Sequence, residues 1–281
     1  MAAPAQRHAL VALLLCVTGL ASAAPSPSSA PAPTIHVAPV ISIIIDDIGD
    51  RLRDGQRAVE LPWPVSVSFL PHTPFAKRLA ERANALNKEV LMHLPMEAQN
   101  GKALGPGGLT DAMQRDEFLR TLRDNLAAIP HVRGVNNHMG SLLTRRLQPM
   151  HWVMDVLHER PGTYFVDSRT THHSVALEIA RQRGVEATTR DLFLDHFQDA
   201  DFIHHQFDVL LSKAHAKGAM LAIGHPTALT LGILEQRLPE LSARGFQLVP
   251  VSRYITTVNR RSEPWQASLS PSPRAAKNLK P

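Results

Sequence analysis

The chain places two adjacent carboxylates, Asp46 and Asp47, at the end of a short apolar run, ISIIIDDIG from Ile41 to Gly49. So short an Ile-rich run reads as a buried strand. Neighbouring side chains of a strand point to opposite faces, so the two acids are expected to do different jobs. Paired acids at the end of a buried strand are costly unless a cation or hydrogen bonds hold them, whereas a turn or helix cap needs only one. Polar residues recur in the same relation to other apolar runs: His93, the trio Asn136, Asn137 and His138, then Asp167, Asp195 and His225. One or two carboxylates with two or three imidazoles and no thiol suit zinc or another divalent metal with an open position for water. In such a site Asp47 as ligand and Asp46 as base explain the doublet. Asp46 would take the proton of a water attacking a carbonyl, and a protonated His225 on the opposite side would give the leaving amine its proton.

Each of these residues also has a plainer reading. The chain has 15 histidines, so one at a given strand end is unremarkable. His138 fits a turn before Gly140, Asp167 and Asp195 fit helix caps, and Glu97 fits a solvated loop. His172-His173 and His204-His205 read as surface pairs, because no strand leads into them.

Candidate strands at 41–45, 65–70, 89–93, 132–136, 163–166, 192–194, 219–223 and 246–251 alternate with helical patterns at 52–59, 76–86, 112–128, 149–159, 174–183, 201–217 and 232–243. Strict alternation argues a parallel sheet with crossover helices, either a barrel or an open doubly wound sheet. No GxGxxG or GxxxxGK[ST] follows a strand, which removes the dinucleotide and P-loop readings. The polar residues each follow a separate strand, and in a barrel those ends converge on one face, so a barrel is favoured.

Residues 1–23 have an apolar run from Ala9 to Leu20 and small residues before a cleavage point, which read as an export signal. The run is nearer a signal core than the roughly 20 residues that span a bilayer, and no second such stretch follows. Residues 24–38, rich in Pro, Ser and Ala, read as a flexible leader. Residues 39–258 are expected to form the body and 259–281 a disordered basic tail. The single cysteine, Cys16, lies in the signal, so disulfides, Cys-bound metal and a Cys nucleophile are excluded from the mature body. The net charge of +5 resides in Arg7 and in Arg260, Arg261, Arg274, Lys277 and Lys280 less Glu263, leaving the body near neutral. A body without a basic, aromatic-laced face is not a nucleic-acid binder.

Five segments together resemble the divergent polysaccharide deacetylase family of the NodB-like carbohydrate esterases: IDDIG, MHLPME at 92–97, GVNNHMGS at 134–141, FVDSRTT at 165–171 and AIGHP at 222–226. The resemblance runs from about Val40 to Tyr254. It implies a single distorted (β/α)7 barrel and an exported metal-dependent hydrolase that cleaves amide carbon–nitrogen bonds. The implied substrate is an acetylated polysaccharide or peptidoglycan-type glycan in a bacterial periplasm, with N-acetyl or O-acetyl groups removed. By that resemblance Asp46 is the base, Asp47 and His93 bind the metal, expected to be Zn, and His225 is the general acid. The second metal-binding histidine of the related enzymes falls on Glu97, so the third ligand is Glu97 or His138, of which His138 is preferred because imidazole is the usual ligand. Asn136, Asn137, Asp167 and Asp195 are expected to touch substrate or support the ligands. The alternative is a barrel that has lost turnover and binds glycan or an envelope-assembly partner.

Overall fold

The computed structural model describes residues 38–262. The expected signal, nearly all of the expected leader and the chain beyond residue 262 lie outside the described residues. Nine strands share one parallel sheet: β1 (Val40–Ile48), β2 (Ser66–Phe69), β3 (Val90–Met96), β4 (Val132–Met139), β5 (Tyr164–Asp167), β6 (Ala187–Thr189), β7 (Leu192–Phe193), β8 (Ala219–Gly224) and β9 (Gln247–Leu248). The helices are α1 (Leu52–Glu60), α2 (Ala76–Ala85), α3 (Arg115–Ala128), α4 (Leu147–His158), α5 (Ala176–Gln182), α6 (Ala200–Lys217), α7 (Ala228–Arg237), α8 (Glu240–Ala243) and α9 (Val251–Ser262).

The sheet runs β6-β5-β4-β3-β2-β1-β8-β7, with β9 beside the start of β1. Its two ends belong to one extended segment. Arg190 N donates to Asp167 O at 2.9 Å while Asp191 N donates to Leu221 O at 2.9 Å, so the chain leaves β5 and joins β8 within two residues. Residues 187–193 thus act as the sixth staves of a ring that β8 completes as the seventh. The architecture is the single distorted (β/α)7 barrel. The expected sixth strand at 192–194 is the second half of this segment, because its first half, Ala-Thr-Thr, lacks the apolar run that marks the others.

Period-two alternation separates the two faces of each strand. Ile41, Ile43 and Ile45 pack outward with the helices. Val40 and Ile44 point inward with Leu91, Tyr164, Val166, Leu221 and Ile223. Two residues beyond Ile44, Leu91, Val166 and Ile223 come Asp46, His93, Ser168 and His225. The apolar floor and the polar mouth are therefore successive layers of the same inward faces. Gly134 keeps this interior closed: a Cβ there would lie 2.2 Å from the buried Tyr164 ring.

Three expectations fail at element ends. The chain at 246–251 is not one strand: β9 covers two residues, and α9 then begins at Val251 and runs past residue 258 into the expected tail. Pro250 supplies a natural helix start, and α9 seats Val251, Tyr254 and Ile255 in the barrel floor. Its N-terminal amide at Ser252 donates to Glu89 Oε1 at 2.9 Å, and Tyr164 Oη donates to the same oxygen. A carboxylate at a helix N-terminus is favourable by charge and hydrogen bonding alike. The helix expected at 112–128 starts only at Arg115, with no side chain capping it. The helix expected at 232–243 is two pieces starting at Ala228, where Thr227 accepts from Thr230 N as cap.

No described helix is long and apolar enough to cross a membrane. Ile255 is 1% exposed in the floor. Ile255→Ala is expected to destabilise the protein by about 2–5 kcal/mol, seen as a lower urea midpoint. A shift within experimental error would show that α9 does not close the barrel.

Candidate metal centre

Asp47 Oδ1, His93 Nε2 and His138 Nδ1 form a triangle at the barrel mouth, with sides of 3.2 Å (Asp47–His93), 2.9 Å (Asp47–His138) and 3.2 Å (His93–His138). They are the one group among the described residues whose donor atoms lie close enough to share an ion. A tetrahedral ion with bonds of about 2.0–2.1 Å needs donors about 3.3 Å apart, so the triangle fits one with little adjustment. Both imidazoles crowd Asp47 Oδ1, yet this buried oxygen has no hydrogen bond of regular geometry.

The expected opposition of Asp46 and Asp47 is overturned. The β1–β2 register breaks between Ile45 and Ile48, and Asp47 takes φ +55°. That left-handed residue cancels one step of the alternation and turns both carboxylates toward His93, with Asp46 Oδ2 3.6 Å from Nε2. Gly49, at φ +140°, permits the bend, since a Cβ there would lie 2.0 Å from Thr73 Oγ1. Met139 (φ +53°), the last residue of β4, and Arg169 (φ +48°), just beyond β5, repeat the left-handed turn. Such backbone costs about 1–2 kcal/mol per residue.

Asn136 connects the two halves of the centre. Its Nδ2 donates to Asp46 Oδ1 and Oδ2 at 2.9 and 3.0 Å, while its Oδ1 accepts from Ser68 Oγ at 2.6 Å and faces His93 Nδ1 at 3.0 Å. The opposite amide orientation would set a carbonyl oxygen against the Asp46 carboxylate. With the amide fixed, His93 donates from Nδ1 and presents its Nε2 lone pair to the triangle, which is how a second shell sets a ligand tautomer. Asn137 does different work: its Oδ1 accepts from Ser168 N at 2.8 Å and its Nδ2 donates to Met139 O at 2.7 Å, tying the β4 and β5 ends together.

His225 stands across the mouth, its Nε2 3.8 Å from Asp47 Oδ2. Asp195 holds it through both oxygens: Oδ1 lies 2.9 Å from His225 Nδ1, and Oδ2 accepts from His225 N at 2.7 Å and Thr230 Oγ1 at 2.8 Å. Asp195 therefore caps no helix; Asp199 takes that role for α6, accepting from Phe202 N at 2.8 Å. Asp167 likewise forms a local turn, accepting from Arg169 N at 2.7 Å. Glu97 lies apart from the triangle with its carboxylate accepting from Asp111 N at 2.7 Å, so geometry offers His138 as the third donor.

Several residues at this site escaped the sequence reading. Ser68 carried a signal: two serines two apart in the apolar VSVSFL segment mark an inward polar face. Arg190 carried none. Its Nε donates to Ser168 O at 2.6 Å and Nη2 to Arg169 O at 3.0 Å, and its guanidinium lies 3.7 Å over the Phe193 ring, which in turn stacks on His225 at 6.0 Å.

The charge balance shows what the centre is built to receive. Burial raises Asp46 above the usual carboxylate range despite His93 and His225 nearby. Burial would raise Asp47 too, but the His138 and His93 imidazoles hold it far below that range. Burial works against a charged His93, yet Asp46 and Asp47 outweigh it and raise its pKa. For His225, burial is likewise outweighed, by Asp195 first and then Asp47 and Asp46, and the pKa is pushed up to about 9. Two adjacent carboxylates thus draw positive charge into the mouth, the role a divalent cation fills.

Residues 43–255 match the family described as divergent polysaccharide deacetylase. The chain is similar to the uncharacterized protein YibQ of Escherichia coli (strain K12), with 36% identity over 205 residues, 73% of this chain. It spans 64% of that relative's length. It is also 31% identical over 201 residues to an uncharacterized protein of Haemophilus influenzae, covering 72% of this chain and 71% of that protein. The crystal structure of the uncharacterized protein ATU2773 from Agrobacterium tumefaciens C58 superposes with a TM-score of 0.74 at 22% identity, over 78% of this chain and 90% of that one, and shares the fold.

Metal binding must displace the proton that Asp46 and Asp47 favour on His93, so its raised pKa sets the sign. Affinity for Zn2+ or Co2+ is expected to fall as the pH drops from about 8 to about 5, with protons released on binding. Calorimetry in buffers of different ionisation enthalpy measures both. Asp47→Ala should abolish stoichiometric uptake and Asn136→Ala should weaken it about 10- to 100-fold; unchanged affinity in Asp47→Ala would remove the triangle as the metal site.

Proposed function

Because the chain belongs to the divergent polysaccharide deacetylase family, we propose that it is an exported metal-dependent hydrolase that removes N-acetyl groups from an envelope glycan. The family acts on acetylated glycans, and the apolar run from Ala9 to Leu20, followed by small residues, supports export. The observation that carries the reading is the placement of Asp46 and His225 on either side of the Asp47–His93–His138 triangle, each oriented by a separate partner.

A divalent ion held by those three residues would lower the pKa of a coordinated water from about 15.7 to about 7 and polarise the acyl carbonyl. The remaining work falls to the side chains. Asp46, buried and gripped by Asn136, is placed to accept the proton of the attacking water. His225, protonated at neutral pH and hydrogen-bonded through Nδ1 to Asp195, keeps Nε2 free to protonate the departing amine. Breaking the amide carbon–nitrogen bond then yields acetate and a free amino sugar. Arg190 and Phe193 buttress the imidazole from behind, with burial lowering Arg190 to about 10, so it stays charged at neutral pH.

A proton donor acts below its pKa and fails above it. Activity is expected to decline on the alkaline side as His225 loses its proton. Asp195→Asn removes the charge that raises His225 and should move that limb to lower pH. Asp46→Asn should keep metal while losing about 10²- to 10⁴-fold in kcat on an N-acetylated oligosaccharide. Acetate release with the metal-loaded protein measures both, and full turnover by Asp46→Asn would remove it as base.

A further inference from the structure

Two clefts meet at Asp47. One, of about 550 Å3, passes Asp50 and Asp54 to Gln198 and His225, and the other, of about 390 Å3, passes His72 and Leu104 to His138. The centre therefore lies part-way along a groove and not at the end of a closed pocket, a shape that suits a unit inside a chain. The loop that supplies Gln198 also carries Phe197, 60% exposed; among the described residues only Leu86 and Leu147 are other large apolar side chains left exposed. The ring is held in place. His196 meets it edge-on at a centroid distance of 4.8 Å and Phe202 at 5.0 Å, and Gln198 Nε2 donates to Asp195 O at 3.2 Å, anchoring the loop to the residue that holds His225.

An exposed, braced aromatic ring, one residue before the Gln198 that lines a cleft of carboxylates, an amide and an imidazole, matches the two faces of a pyranose. The ring receives the apolar C–H face and the polar lining receives the hydroxyls. A purely apolar ligand would displace the water around those carboxylates and offer no hydrogen bond in return. We propose that Phe197 is a stacking platform for a sugar unit next to the one whose amide lies at Asp47 and His225, so that the protein engages internal units of a glycan chain. The inference rests on the glycan reading above and adds which part of the chain is held and by what.

The test uses the full chain with N-acetylglucosamine oligomers of two and six units as probes. Two readouts are taken: kcat/KM of the metal-loaded protein, and affinity by calorimetry in an Asp46→Asn background, which needs no turnover. Phe197→Ala and Phe197→Leu are expected to lower both values for the six-unit probe about three- to tenfold relative to the two-unit probe, and Phe197→Trp to restore them. No loss on the six-unit probe, or equal loss on both probes, would overturn the platform. A shift in sedimentation on Phe197→Ala would overturn it in favour of contact between copies. Should the wild type neither bind nor deacetylate either probe, the glycan reading itself fails, an outcome separable from failure of Phe197 alone.

Discussion

Two carboxylates side by side at the mouth of a barrel concentrate negative charge where little water can dilute it, and the surrounding residues are arranged to answer that charge. Asp46 receives two hydrogen bonds from one amide, Asp47 faces two imidazoles, and His225 across the mouth is drawn toward its protonated form. Removing any one answering group leaves a buried charge exposed to the others, which costs more than the lost contact alone. The same surplus makes the triangle of donors receptive to a divalent cation. Charge compensation and metal affinity are one property seen in two states.

Asn136 is the point through which the halves communicate. Its two ends differ, one donating and one accepting, so a single side chain fixes the Asp46 carboxylate, the His93 ring and the Ser68 hydroxyl at once. The ladder makes this possible: β3 and β4 pair His93 with Asn136 directly, which places the two side chains on the same inward face at neighbouring-strand distance. Left-handed backbone at Asp47, Met139 and Arg169 then bends three strand ends around that pair. Strain of this kind is retained where neighbouring structure over-determines it. Here the Asn137 bonds to Ser168 and Met139 and the Arg190 bonds to Ser168 and Arg169 supply that constraint.

Beneath this mouth the barrel is sealed. Inward apolar residues of β1, β3, β5 and β8 meet α9 from below, and Glu89 joins α9 to Tyr164. The rigid floor lets the strand ends carry unfavourable backbone without the sheet yielding, so packing at one end supports chemistry at the other.

The strands were legible because Ile- and Val-rich runs bounded by turn residues have few other readings. The convergence of Asp46, His93, His138 and His225 was legible because every strand of a parallel barrel points the same way. Local pattern alone did not reach α9, whose neighbours look like a further strand, nor Arg190, a lone charge in an unremarkable segment. It also misplaced Asp47, since alternation assumes extended backbone and one left-handed residue reverses the side that follows. The sequence by itself determined which residues stand at the strand ends, because that depends on order along the chain. Only the tertiary structure decided which of them touch, because the nearness of His138 and not Glu97 to Asp47 and His93, the bridge through Asn136 and the grip of Asp195 on His225 depend on distances between strands that no stretch of sequence contains.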